Sequence, residues 1–433
     1  MYTTMQHFQK RFIRILRWSE KYTKTDMVYL FKSGAWINLG SICVSLFSFV
    51  LYIAFARFLP KEVYGTYQYL LSVSVIVSAF TLTGMNTAVT RAVARGFDGM
   101  VRKSIWVQLR WGIIPFLGAW AASAYYFLHG NQQLGWGLLL IGIFVPINGA
   151  LNTYGALPGG RRDFQGSFLL NLLCNTLYYP ALIIAAFFSK VACVLLAANV
   201  LSQFVGLFIA YRLARRMYRP NDHVDHETIP YGKHLSLMNI FGTITGQVDN
   251  ILAFHYLGPA ALALYSYATA LPERLANLTK FIPSAAFPKF ATQSRAEVRR
   301  TIAPKLLWAA GASAIMTLVY VAFAHIFFAI FFPAYIAAVP YSMVYSLIII
   351  PWATGIFVSA LSATRSVRAL YVFNGVVPVV QLALQFAGIL LLGLWGLILA
   401  KLVVAFVQLF FGAYLFFSDD SPEHQSATSV TRT

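Results

Sequence analysis

Three ionisable side chains stand out because each falls in the middle of an otherwise apolar stretch: Asp249, Glu273 and Lys401. A charge at the centre of a membrane span costs roughly 2.5–3.5 kcal/mol on insertion scales, so it calls for a partner or a use. Asp249 is flanked by Gln247 and Asn250, a set able to line a wet cavity. Its carboxyl could carry a proton or bind a cation during transport, and so could that of Glu273. The plain alternative is an acid paired to a neighbouring helix for packing. Lys401 at mid-span would snorkel, pair, or meet an anion.

Further cations could serve an anionic ligand. Arg274 directly follows Glu273, so the two side chains point about 100° apart on a helix and need separate partners. Asp249 is a candidate partner for Arg274. Glu273, Asn277 and Lys280 recur at helical spacing as one polar stripe, which must face protein or water rather than lipid. Arg57 and Arg91 fall at the ends of the first two spans, where interface snorkelling is the simpler reading. Asn38, with Asn86, could line the N-terminal half of a cavity; interhelical hydrogen bonding is the alternative.

The elements that must position these residues are membrane spans. The chain has 433 residues, 59% of them hydrophobic and 11% charged, where a soluble domain carries about 25% charged residues. A span needs about 20 apolar residues. Twelve candidates are predicted at 34–57, 65–88, 105–128, 134–154, 167–188, 191–211, 235–256, 262–284, 306–329, 341–363, 370–392 and 395–417. With the N-terminus inside, 26 Lys and Arg residues fall in cytoplasmic segments and three, Arg57, Lys61 and Lys190, outside. That bias predicts both termini in the cytoplasm. It also gives the net charge of +19 a topological reading, with no nucleic-acid partner. The segment Gln6–Tyr22 reads as a basic amphipathic helix suited to an anionic leaflet, and the stretch before the first span does not read as a cleavable signal.

The predicted external connections are short, which argues against an enzyme with a folded outer domain. No nucleotide-binding Gly-x-x-x-x-Gly-Lys-Ser/Thr, His-Glu-x-x-His or Gly-x-Ser-x-Gly motif is present. Cys43, Cys174 and Cys193 have no metal or disulfide spacing. No cofactor is expected beyond possible coupling to H+ or Na+.

A shift of 198 residues aligns Phe58-Leu59 with Tyr256-Leu257, and Tyr67-Gln68-Tyr69 with Tyr265-Ser266-Tyr267. Hydropathy repeats as six spans, a basic linker and six spans. The predicted organisation is a basic N-terminal segment (1–33), an N-terminal bundle (34–211), a linker (212–233), a C-terminal bundle (234–417) and a disordered tail (418–433). The fold class is all-α and polytopic, with about twelve helices in two parallel six-helix halves around a central cavity. Such repeats commonly bind substrate near the midplane.

The runs Phe31-Lys32-Ser33-Gly34, Ala56-Arg57-Phe58-Leu59-Pro60-Lys61-Glu62-Val63-Tyr64-Gly65, Val248-Asp249-Asn250 and Tyr256-Leu257-Gly258-Pro259 resemble the Wzx-type polysaccharide flippases. These belong to the multidrug/oligosaccharidyl-lipid/polysaccharide (MOP) exporter superfamily. The resemblance implies alternating access in a bacterial inner membrane, moving an undecaprenyl-diphosphate-linked oligosaccharide from the cytoplasmic to the outer leaflet. Substrate contacts are then expected from Arg57, Arg91, Arg274, Lys280, Lys401, Asn38 and Asn250, and ion coupling from Asp249 and Glu273. The partners implied are the lipid-linked glycan, membrane lipids, and polysaccharide polymerase and chain-length machinery. Two other readings stand beside this one: a multidrug cation antiporter of the same superfamily, and a membrane polysaccharide polymerase or ligase. Intramembrane bases outnumber acids, which counts against the antiporter.

Overall fold

The computed structural model describes residues 27–279, 295–353 and 367–418. Lys280, the segment Gln6–Tyr22, the tail beyond Ser418 and the end of the tenth predicted span lie outside the described residues. Every regular element among the described residues is helical. Nine helices there are long and apolar enough to cross a membrane, and they correspond to nine of the twelve predicted spans. The other three, at 65–88, 235–256 and 262–284 (the last described only as far as Thr279), also form helices there but are shorter, broken or more polar. They include the segments that carry Asp249 and Glu273.

The chain divides into two compact units. Unit 1 comprises Met1–Phe55 and Val77–Asn239; unit 2 comprises Ala56–Ile76 and Ile240–Thr433.

Unit 1 holds most of α1 (Met27–Phe58), the end of α2 (Lys61–Ala79), α3 (Met85–Ala94), α4 (Met100–Trp111) and α5 (Ile113–Leu128). It continues through α6 (Gln132–Leu151), a 3-10 turn (Asn152–Gly155), α7 (Ala156–Gly160), α8 (Phe164–Phe188) and α9 (Ala192–Tyr218). Side-chain caps fix two helix starts. Asn131 accepts from Leu134 N at 3.1 Å, and Asp163 accepts from Gly166 N at 2.8 Å, each satisfying an otherwise unpaired N–H. The buried face of α3, Met85, Val89, Ala92 and Val93, packs with Tyr154, Leu157, Ala210 and Ala214. After α9 the chain folds back over the α3–α4 turn. Asn221 N donates to Asp98, Asp98 N donates to Asn221, and Gly99 N donates to the His223 carbonyl.

Unit 2 contains the end of α1, most of α2, and the end of α10 (Thr228–Thr245). Next come α11 (Val248–Leu252), a π turn (Ala253–Leu257), α12 (Pro259–Thr279) and α13 (Arg295–Phe331). A 3-10 turn (Pro333–Ala338), α14 (Val339–Tyr345), a second 3-10 turn (Ser346–Ile348), α15 (Ile349–Ala353), α16 (Val367–Leu392) and α17 (Leu394–Ser418) complete it. The two hairpin turns linked by the 198-residue shift lie side by side here. A Cβ on Gly65 would overlap the Pro259 carbonyl, so that position requires glycine. Around it Tyr64 packs on Tyr267 with ring centroids 5.0 Å apart, and Tyr69 stacks on Phe254 at 4.1 Å. The Leu-Pro and Leu-Gly-Pro turns therefore pair with each other, and Gly258 supplies the positive φ of 86° that lets Pro259 open α12.

Candidate functional site

The seventh predicted span is not one continuous helix. α10 ends at Thr245, the chain steps through Gly246 and Gln247, and α11 starts again at Val248. A break in an apolar environment leaves carbonyls unpaired unless something else donates to them. Here Gln381 Nε2, on α16, donates to the Thr245 carbonyl at 3.1 Å. The break turns Asp249 inward, with only 1% of its surface exposed.

Asp249 meets a cation from the far end of the sequence. Lys401 Nζ, on α17, lies 2.7 Å from Asp249 Oδ2 and 3.3 Å from Glu273 Oε1. Each carboxylate also accepts from a tyrosine: Tyr265 OH donates to Asp249 at 2.6 Å, and Tyr345 OH donates to Glu273 at 2.8 Å. The ammonium stands over both rings, 5.4 Å from the Tyr265 centroid and 5.9 Å from that of Tyr345. Two acids, one base and two neutral donors leave the cluster one negative charge. The side chains grade from closed to open: Asp249 is 1% exposed, Lys401 21% and Glu273 35%. Asp249 Oδ1 is buried and has no hydrogen-bond partner among the described residues. Such an oxygen is costly to leave unmet.

The expected residues therefore separate. Asp249, Glu273 and Lys401 come together, with Lys401 in the role the sequence had offered to Arg274. Arg274 follows Glu273 on α12 and is half-buried. Asn250 turns from the cluster toward α2, donating to Ser72 Oγ at 2.9 Å. Arg57 is exposed and donates to the Ile330 carbonyl at 3.5 Å, a helix-end contact. Asn38 and Arg91 belong to unit 1. Asn38 is exposed on α1, and Arg91 stacks over Tyr231 with 5.5 Å to the ring centroid. Arg91 and Asn86 both line a cavity of about 640 Å³.

Sequence reasoning missed Tyr265 and Tyr345 as parts of the cluster. For Tyr265 a signal existed, since Tyr265, Thr269 and Glu273 recur every fourth residue along one side of α12. Tyr345 carries no comparable signal. No group of three or more His, Cys, Asp or Glu among the described residues could hold a metal ion.

The family model described as "Polysaccharide biosynthesis protein" matches residues 30–294, more than half the chain. The chain belongs to this family. The match covers Asp249 and Glu273 and stops short of Lys401. Among curated proteins, none matches the chain by sequence. Solved structures show the same fold at low identity. An inward-facing multidrug resistance MATE family transporter of the MOP superfamily is similar with TM-score 0.61 and 14% identity, over 86% of this chain and 94% of that one. The lipid II flippase MurJ, in an inward closed conformation, gives TM-score 0.61 at 9% identity, over 87% of this chain and 86% of that one. A MOP superfamily transporter from Pyrococcus furiosus, whose binding pocket is described as reversed in polarity, gives 0.57 at 13%, over 90% and 95%. The family match and a fold shared with MOP superfamily transporters agree with the resemblance read from the sequence, and the chain is an all-α multi-pass membrane protein.

Proposed function

We propose that this protein is a flippase for an undecaprenyl-diphosphate-linked oligosaccharide, moving it by alternating access from the cytoplasmic to the outer leaflet of a bacterial inner membrane, with both termini cytoplasmic. The observation that carries the reading is the family match over 30–294 on a chain folded like MOP transporters and a lipid-linked-substrate flippase. The protein acts as a transporter rather than an enzyme, and polysaccharide polymerase and chain-length machinery would take its product.

Transport against a gradient needs a coupled step, and the Asp249–Lys401–Glu273 cluster supplies one. Its single net negative charge takes one monovalent cation. The ammonium already stands between the two acids. That favours a proton, which needs one oxygen, over Na+, which needs several. Protonation of either acid loosens its hold on Lys401 and lets α11, α12 and α17 shift relative to one another.

The antiporter reading draws on the multidrug transporters that share the fold. It is disfavoured because intramembrane bases outnumber acids. Nothing in the fold favours a polymerase or ligase.

Complementation of a strain lacking its own flippase tests the proposal. The intact chain should restore polymer export, while Asp249→Ala and Lys401→Ala, inserted at normal levels, should not. If the intact chain fails in a strain supplying its cognate glycan, the substrate assignment is wrong. Full export by both variants would remove the cluster from the mechanism.

A further inference from the structure

Unit 1 contains four arginines near one end of α3 and α7, and it pairs them unequally. Arg95 is bonded to Asp225 at 2.5 Å, and Arg161 to the buried Asp98 at 2.5 Å. Their neighbours Arg91, one turn earlier on α3, and Arg162, the next residue in the α7–α8 turn, have no carboxylate partner among the described residues. Both are exposed, and both line the same cavity of about 640 Å³. That cavity has no acidic lining residue. Its volume falls in the range of about 300–1,000 Å³ typical of small-molecule sites.

The remaining polar walls suit a sugar. Asn86, Asn152, Thr87 and Thr90 face the same space. Carboxamides and hydroxyls both donate and accept, as sugar hydroxyls do. A buried relay orders one of them: Gln108 Nε2 donates to Thr153 Oγ1 at 2.8 Å, and Thr153 Oγ1 donates to Asn86 Oδ1 at 2.9 Å. The Asn86 carboxamide is thereby held with its NH2 unpartnered among the described residues. Gly155 and Gly159 also line it, adding no side chain to the space.

An independent observation concerns the backbone. Arg162 has φ +59°, in the left-handed region that glycine or asparagine occupies with less strain. The turn closes α7, with Asp163 N donating to the Pro158 carbonyl at 2.9 Å, and it leaves Arg162 lining the groove.

We infer that this groove binds the glycosyl-diphosphate end of the substrate: Arg91 and Arg162 grip diphosphate oxygens, and Asn86 and Asn152 read the first sugar. Guanidinium groups meet phosphate with paired, charge-assisted hydrogen bonds. The inference rests on the flippase reading and adds to it a location in unit 1 and a chemical specificity. A glycosyl diphosphate can arrive on a lipid or on a soluble nucleotide; the groove takes the lipid-linked form.

The test uses the full chain in nanodiscs of uncharged phosphatidylcholine. Binding of undecaprenyl diphosphate, undecaprenyl monophosphate and UDP-glucose is measured for the parent and three variants. Arg91→Gln/Arg162→Gln should lose at least tenfold in affinity for undecaprenyl diphosphate, and Arg91→Lys/Arg162→Lys should recover most of it. Arg162→Gly should melt no lower than the parent yet bind more weakly, a combination that a purely structural arginine would not produce. Unchanged affinity in the double Gln variant overturns the inference. So does loss of UDP-glucose binding alone, which would assign the groove to a soluble ligand. Export complementation run alongside separates the two proposals. A double Gln variant that binds and exports normally sinks the groove and leaves the flippase reading. A parent that binds through the arginines but never restores export does the reverse.

Discussion

The two units treat positive charge in opposite ways. In unit 2, Lys401 is held between two carboxylates and two tyrosine hydroxyls, and the cluster is closed at Asp249. In unit 1, Arg91 and Arg162 stand exposed in an open groove while the nearby acids Asp225 and Asp98 hold Arg95 and Arg161. A cation enclosed by acids offers nothing to an anionic ligand, but on the proposed reading a coupled proton would act there as a switch. A cation left without an acid cannot act as such a switch, yet it can meet a phosphate. On the readings proposed above, coupling belongs to the first arrangement and recognition to the second.

The largest effect should come from opening the closed cluster. Lys401→Met removes the cation and leaves two carboxylates facing each other, and losing one partner of a buried ion pair costs about 3–5 kcal/mol. Thermal unfolding in detergent should show a marked loss. The triple variant with Asp249→Asn and Glu273→Gln should recover most of it. A Lys401→Met protein as stable as its parent would mean that the cation is not what holds this cluster together.

A smaller effect should separate adjacent arginines. Arg161→Gln strands the carboxylate of Asp98, whose side chain is 4% exposed, at a cost of about 1–3 kcal/mol. Arg162→Gln strands nothing and should stay within about 0.5 kcal/mol of the parent. Equal melting losses in the two variants would erase the distinction between paired and unpaired arginines on which the groove rests.

The smallest effect concerns pH. A hydrogen bond from Thr228, helped by the Glu227 N–H and by Arg95, holds the Asp225 carboxyl below the ordinary aspartate range. A carboxyl depressed on folding adds stability that is fully present above its unfolded value of about 3.9. That stability is lost as pH falls through the lower folded value. Melting temperature followed from pH 6 downward, on the order of three units, should fall slightly more steeply for the parent than for Asp225→Asn. Parallel curves would show that Asp225 does not help to tie the linker to α3.

Much of this was legible from composition and spacing. Asp249 and Glu273 were visible as charges where an apolar run should have none, and nine spans follow from hydropathy alone. The turn at Gly258-Pro259 was legible because glycine and proline restrict backbone geometry locally. The Lys401 partnership was not legible. Arg274 was nearer in sequence to Asp249, and periodicity on one helix says nothing about which face of another helix it meets. Nor did Arg161 and Arg162 differ as letters in the sequence.

What the order of residues settles here is local: where helices run, where they break, and which side chains are too polar for lipid. Which cation closes on which acid was decided only by packing. Lys401 reaches Asp249 across 152 positions of chain because α17 lies against that part of unit 2. Arg161 turns into Asp98 while Arg162 turns to the groove because a left-handed residue reverses the chain between α7 and α8. Electrostatic pairing acts over a few ångströms, and those distances exist only after the helices have packed.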